Sequence, residues 1–195
     1  MTSGISPVGK GRNMMDCADS KDRGQAATQP GQDGGVVGRA LAYVFEWFDS
    51  DCKGWQGFIQ RMLDGLTPEQ ALWKPAPERH NIWQIVRHIT FWRQYMVAQL
   101  EQAPLPDPET GDWSDPPATD EAAWKAELEE YYRIQARFVE VIKSCGAASA
   151  SQLADGAAQE RGAQIFHLAF GLLSHDSYHA GQIAYLRAMQ GFPPV

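Results

Sequence analysis

Four long stretches of this chain place apolar residues at intervals of three and four, and none shows the strict alternation of a half-buried strand. That pattern restricts the fold to helices that bury one face against each other. The first stretch runs from Val36 to about Leu63, with Val44, Phe48, Trp55, Ile59 and Leu63 on one face, although Gly54 and Gly57 weaken its continuity. The second begins at Asn81 and continues through IWQIVRHITFWRQYMVAQL to about Leu100. The third covers about Asp120 to Ser144, with Asp120 and Glu121 in its first turn and Lys143 in its last, as the helix dipole favours. The fourth starts near Gly156 and ends near Gln190, stopped by Gly191 and Pro193-Pro194. Gly146 is the expected stop for the third helix. The expected fold is therefore all-α, an antiparallel four-helix bundle over residues 36–195. The connections permit up-down-up-down packing, or one longer crossover.

Local signals fix two helix starts. Thr67-Pro68-Glu69-Gln70 supplies a threonine cap, proline at the first helical position and glutamine at the third. Asn81 caps the second long helix, with Gln84 placed to return the hydrogen bond. Between the second and third helices lies a Pro- and Asp-rich loop from Ala103 to Ala118.

Residues 1–35 differ from the rest. They are rich in Gly, Ser, Gln and Asp and carry four basic and four acidic side chains, so the formal charge of −7 belongs to the remainder. With almost no large apolar residues, this segment is expected to be a disordered extension. The acidic balance offers no basic patch for nucleic acid or an anionic membrane, and no apolar run reaches the length of a membrane span. Cys17, Cys52 and Cys145 are odd in number and form no Cys-x-x-Cys pair, which suits a reduced, cytoplasmic protein.

Five histidines matter by position: His80, His88, His167, His175 and His179. At about 100° per residue, His175 and His179 lie roughly 40° apart, one turn apart on one face. Leu168, Leu172 and Leu186 fall within about 60° of His175, so the pair points into the apolar stripe. His88 shares its face with Ile85, Trp92 and Tyr95. A lone histidine on an apolar face is most often a hydrogen-bonded core residue. Three of them on inward stripes, with no carboxylate on those stripes placed to pair all three, are most simply satisfied by a shared cation. His167 sits about 80° away, at the stripe's edge. His80 precedes the second helix and is expected to be exposed or beside the cap. Trp92, one turn from His88, is the expected wall of a pocket. Gln182 has two readings, orienting bound water or a histidine, or packing beside Gly181.

The segment His175-Asp-Ser-Tyr-His179-Ala-Gly-Gln182-Ile-Ala-Tyr-Leu-Arg187 resembles the last-helix signature of the DinB/YfiT-like metal-binding bundle superfamily. Asn81 to Trp92 is similar to that family's second-helix element, and Thr67 to Pro77, with Trp73, to its linker. The resemblance covers about Val36 to Gln190; the extension before it departs from the pattern. It implies a divalent metal held by His88, His175 and His179 and completed by water. The superfamily it resembles includes thiol-dependent transferases and isomerases, in which the metal activates a low-molecular-weight thiol cosubstrate, and members with no established reaction. The open three-histidine site makes a thiol S-transferase the leading expectation, with a hydrolase second, acting on a small-molecule substrate. A homodimer is expected by the same resemblance. Imidazole ligands suit zinc, the default, but also nickel, copper, iron or manganese. The alternative is a non-catalytic, stress-associated binding protein with a structural metal, for which His167 or Gln182 would supply the fourth ligand.

Overall fold

The computed structural model describes residues 36–48, 59–145 and 156–194. The expected extension 1–35, the glycines 54 and 57, and the expected stop at Gly146 lie outside the described residues. Among the described residues seven helices appear in order: α1 Val36–Phe48, α2 Ile59–Leu63, α3 Pro68–Leu72, α4 Ile82–Glu101, α5 Pro108–Gly111, α6 Glu121–Cys145 and α7 Gly156–Met189. No strand occurs among the described residues. The chain is all-α.

Both capping boxes form. Thr67 accepts from the Gln70 amide while Gln70 Oε1 accepts from the Thr67 amide, at 3.3 and 2.9 Å. Asn81 Oδ1 accepts from the Gln84 amide at 2.8 Å, and Gln84 Oε1 returns the bond at 3.2 Å. These reciprocal bonds satisfy amides that the first turn of a helix leaves without partners. Of the first expected helix, the described parts are α1 and α2.

The four long helices pack in a ring, α1 on α6, α6 on α4, α4 on α7 and α7 on α1. One end of the core gathers Ile82, Ile85 and Ile89 of α4 with Ala180, Ile183 and Leu186 of α7, and Trp83 and Trp124 meet there at 4.9 Å. The other end gathers Val97 with Ala169 and Leu172, against Phe45 and Phe138, whose rings meet edge-on at 4.8 Å. Early α4 thus meets late α7, and late α4 meets early α7. These two helices are antiparallel.

The pair α4 and α6 is different. Arg87 pairs with Glu127 at 2.6 Å, Gln94 donates to Glu130 at 2.7 Å, and Glu101 meets Arg137. The partners advance in the same order along both helices, so α4 and α6 run in the same direction. Up-down-up-down packing would have opposed them. The long segment 102–120 is the crossover that carries the chain back to the starting end, a connection that helical bundles use.

Candidate metal centre

Helix α4 supplies His88 from its buried face, and α7 supplies His175 and His179 one turn apart. One ring nitrogen from each lies within 4.8 Å of the others. His88 Nε2 and His175 Nε2 lie 2.8 Å apart. His88 and His179 are buried; the His175 side chain is 26% exposed, so the cluster opens on that side.

The other nitrogen of each ring is committed to the protein. His88 Nδ1 meets Asp112 Oδ1, His175 Nδ1 lies 3.1 Å from Asp176 Oδ1, and His179 Nδ1 lies 2.7 Å from Gln182 Oε1. Carboxylate and amide oxygens only accept, so each Nδ1 carries the proton and each Nε2 presents a lone pair. The 2.8 Å contact then sets two lone pairs against each other, which is unfavourable unless a cation lies between them. The donor set fits such an ion. A tetrahedral ion bound at roughly 2.0–2.1 Å spaces its nitrogens about 3.3 Å apart, between the 2.8 Å contact and the 4.8 Å limit of the cluster.

Burial opposes protonation of the two buried rings, His88 and His179. It pushes the His179 imidazole down to about 4, against the Gln182 hydrogen bond, which favours the proton. His88 is lowered for the same reason, with Asp112 opposing. At neutral pH both are free to coordinate without first losing a charge.

A family model described as the DinB superfamily matches residues 40–183. The chain belongs to the DinB superfamily. Comparison with curated proteins and with solved structures found no match.

What this DinB-superfamily chain adds around the cluster comes largely from its crossover. Asp112 follows α5, whose cap repeats the pattern of Thr67: Asp107 accepts from the Glu109 amide at 3.0 Å and Pro108 occupies the first turn. The local cap-Pro-Glu signal was available in the sequence; the reach of Asp112 to a histidine 24 residues away was not. Trp113, with a left-handed φ of 52°, lies flat on His88 at 3.8 Å and on His80 at 3.8 Å. It forms the nearer wall, whereas Trp92 stands edge-on to His88 at 6.4 Å. His80 is exposed, as expected, and stacks on Trp113.

Asp176 holds two partners. Its Oδ2 accepts from Arg93 Nη2 at 2.9 Å and from Nε at 3.2 Å, with both side chains fully buried, while Oδ1 faces His175. Arg93 lies over the Tyr131 ring at 4.6 Å. Gln182 contacts a histidine through Oε1, and its Nε2 donates to the Tyr178 hydroxyl at 3.1 Å. Gly181 has no neighbour beyond its chain neighbours within 4 Å of where a Cβ would stand. His167 is exposed and lies outside the cluster.

Proposed function

We propose that His88, His175 and His179 hold one divalent metal ion, zinc by default, as the centre of a metal-dependent enzyme acting on a small molecule. The observation that carries this reading is the convergence of one ring nitrogen from each of three histidines, with each Nδ1 placed against a protein oxygen. Bound there, such an ion would act as a Lewis acid, lowering the pKa of bound water or holding a thiolate. The chain's own groups do the rest. Asp112, Asp176 and Gln182 fix the tautomer and orientation of the three rings. Trp113 covers one face of His88, and the partial exposure of His175 leaves an approach for substrate.

A structural metal would call for a fourth protein ligand. Gln182 Oε1 is engaged by His179, and His167 lies eight residues, about 12 Å along the helix, before His175. Both observations favour an open position over a closed site. Transfer of a small thiol to an electrophile is the leading reaction, with hydrolysis second. No described helix is long and apolar enough to cross a membrane, which suits the expected cytoplasmic setting.

The test combines metal analysis with turnover. Protein purified without chelator is expected to hold one equivalent of metal, and His179→Ala to hold far less. With a panel of low-molecular-weight thiols and an arylating electrophile, or with ester and amide substrates, turnover should vanish on chelation and return with metal. A fully loaded protein with no metal-dependent turnover in either panel would remove the enzymatic reading.

A further inference from the structure

The face of α7 opposite the histidines carries a second cleft, of about 440 Å³. Ala184 lies nine residues beyond His175, which places it about 180° around the helix. Along α7 the cleft is lined by Ala180, Gly181, Ala184 and Ala188, and across from them by Met62 and Phe192. Its size falls in the range of small-ligand sites, roughly 300–1,000 Å³. Arg187, the arginine of the last-helix signature, is the only charged residue in the lining among the described residues.

Arg187 is 8% exposed, and no carboxylate among the described residues pairs with it. Its Nη1 donates to the Met62 carbonyl at 2.6 Å. The Phe192 ring lies 4.4 Å from the guanidinium carbon. The helix end arranges this. Gly191 turns the chain at a φ of +83°, its amide donating to the Ala188 carbonyl at 3.0 Å, and the Phe192 amide donates to the Arg187 carbonyl at 3.1 Å. That turn folds the tail back and lays Phe192 on Arg187. Arg187 Nε remains buried without a hydrogen-bond partner. Burial also makes the charged form harder to keep, lowering its pKa.

A buried cation held by one carbonyl and one aromatic ring is poorly compensated for the water it has lost. The missing partner is an anion. Nη2, which is neither hydrogen-bonded nor fully buried, is left to donate a charge-assisted hydrogen bond to a carboxylate. One positive charge among apolar walls selects a monoanion with an apolar body. We propose that this cleft binds a small organic monocarboxylate, its carboxylate on Arg187 and its hydrocarbon along Ala184, Ala188 and Phe192. The proposal does not depend on the metal site, which lies on the other face of α7.

Calorimetric titration of the full chain with octanoate tests it. Octanoate is expected to bind saturably, one per chain, and about tenfold or more tighter than acetate, which lacks the body, or 1-octanol, which lacks the charge. Arg187→Lys, which keeps a charge but loses the planar guanidinium and its Nη2, should weaken octanoate about tenfold. Ala184→Phe fills the cleft from an exposed helical position, and should abolish octanoate binding while leaving the helical circular dichroism and metal uptake unchanged. Absence of octanoate binding, equal binding of 1-octanol, or wild-type octanoate affinity in Ala184→Phe each overturns the proposal. Should Arg187→Lys fail to fold, Ala184→Phe still decides.

Discussion

Each of the three histidines uses its two ring nitrogens differently, one for an oxygen of the protein and one for a shared point. The helical spacing of His175 and His179 made their common face legible, because a turn of helix is a local property. Asp176 and Gln182 sit within the same turns, so their proximity was legible too, although only the structure shows which oxygen meets which ring. Asp112 was not, since nothing local ties residue 112 to residue 88. This gives a residue-scale contrast. Asp112→Ala removes an anchor that is partly exposed, and is expected to weaken metal binding about 10–100-fold with little loss of folding stability. Asp176→Ala should weaken binding similarly, but also strips the fully buried Arg93 of that carboxylate, at a cost of about 3–5 kcal/mol. Competition with a chromophoric chelator reads the first quantity and urea unfolding the second. Unchanged affinity in Asp112→Ala would show that its hydrogen bond to His88 does not tune the site.

Among the elements, the starts of α3 and α4 were legible from local capping signals, while the direction in which the long helices pack was not. Thr67 and Asn81 announce their helices because the capping partners lie three residues away. The same logic applied at Asp107-Pro108-Glu109 would have found α5 inside what reads as an irregular loop. Its role is set by Gly111, where an added Cβ would overlap the Phe91 ring of α4. The absent side chain lets α5 sit directly on α4 and deliver the next residue, Asp112, to His88. Gly111→Ala must therefore push α5 away or displace a buried ring, a change expected to destabilise by about 1–3 kcal/mol. Because the displaced segment carries Asp112 and Trp113, metal affinity should fall in parallel with the Asp112→Ala variant. If Gly111→Ala binds metal as wild type does, the crossover does not need its close seat on α4.

For the whole molecule, helical periodicity specified all-α packing but not chain direction, since an amphipathic stripe reads alike whichever way its neighbour runs. The parallel pairing of α4 and α6 follows from long-range contacts, and it requires the crossover that covers His88. The proposed metal would join α4 to α7 across 87 residues of sequence, and so bear on global stability. At free metal about a hundredfold above the dissociation constant, binding to the folded state alone contributes about 2.7 kcal/mol. For a domain of this size that corresponds to a Tm roughly 5–10 °C higher than in chelator. The metal-free protein should in turn respond to acid. Burial lowers His88, and lowers His179 to about 4, against an ordinary value near 6.5 in the unfolded chain. The folded state then binds fewer protons than the unfolded state across that interval. The resulting stability is complete above about pH 6.5 and is lost as pH falls toward 4. His179→Gln, which cannot titrate, should flatten part of that decline in scans made in chelator. A metal-free wild type and a His179→Gln variant with equal dependence on pH between 6.5 and 4 would contradict this assignment of the buried imidazole.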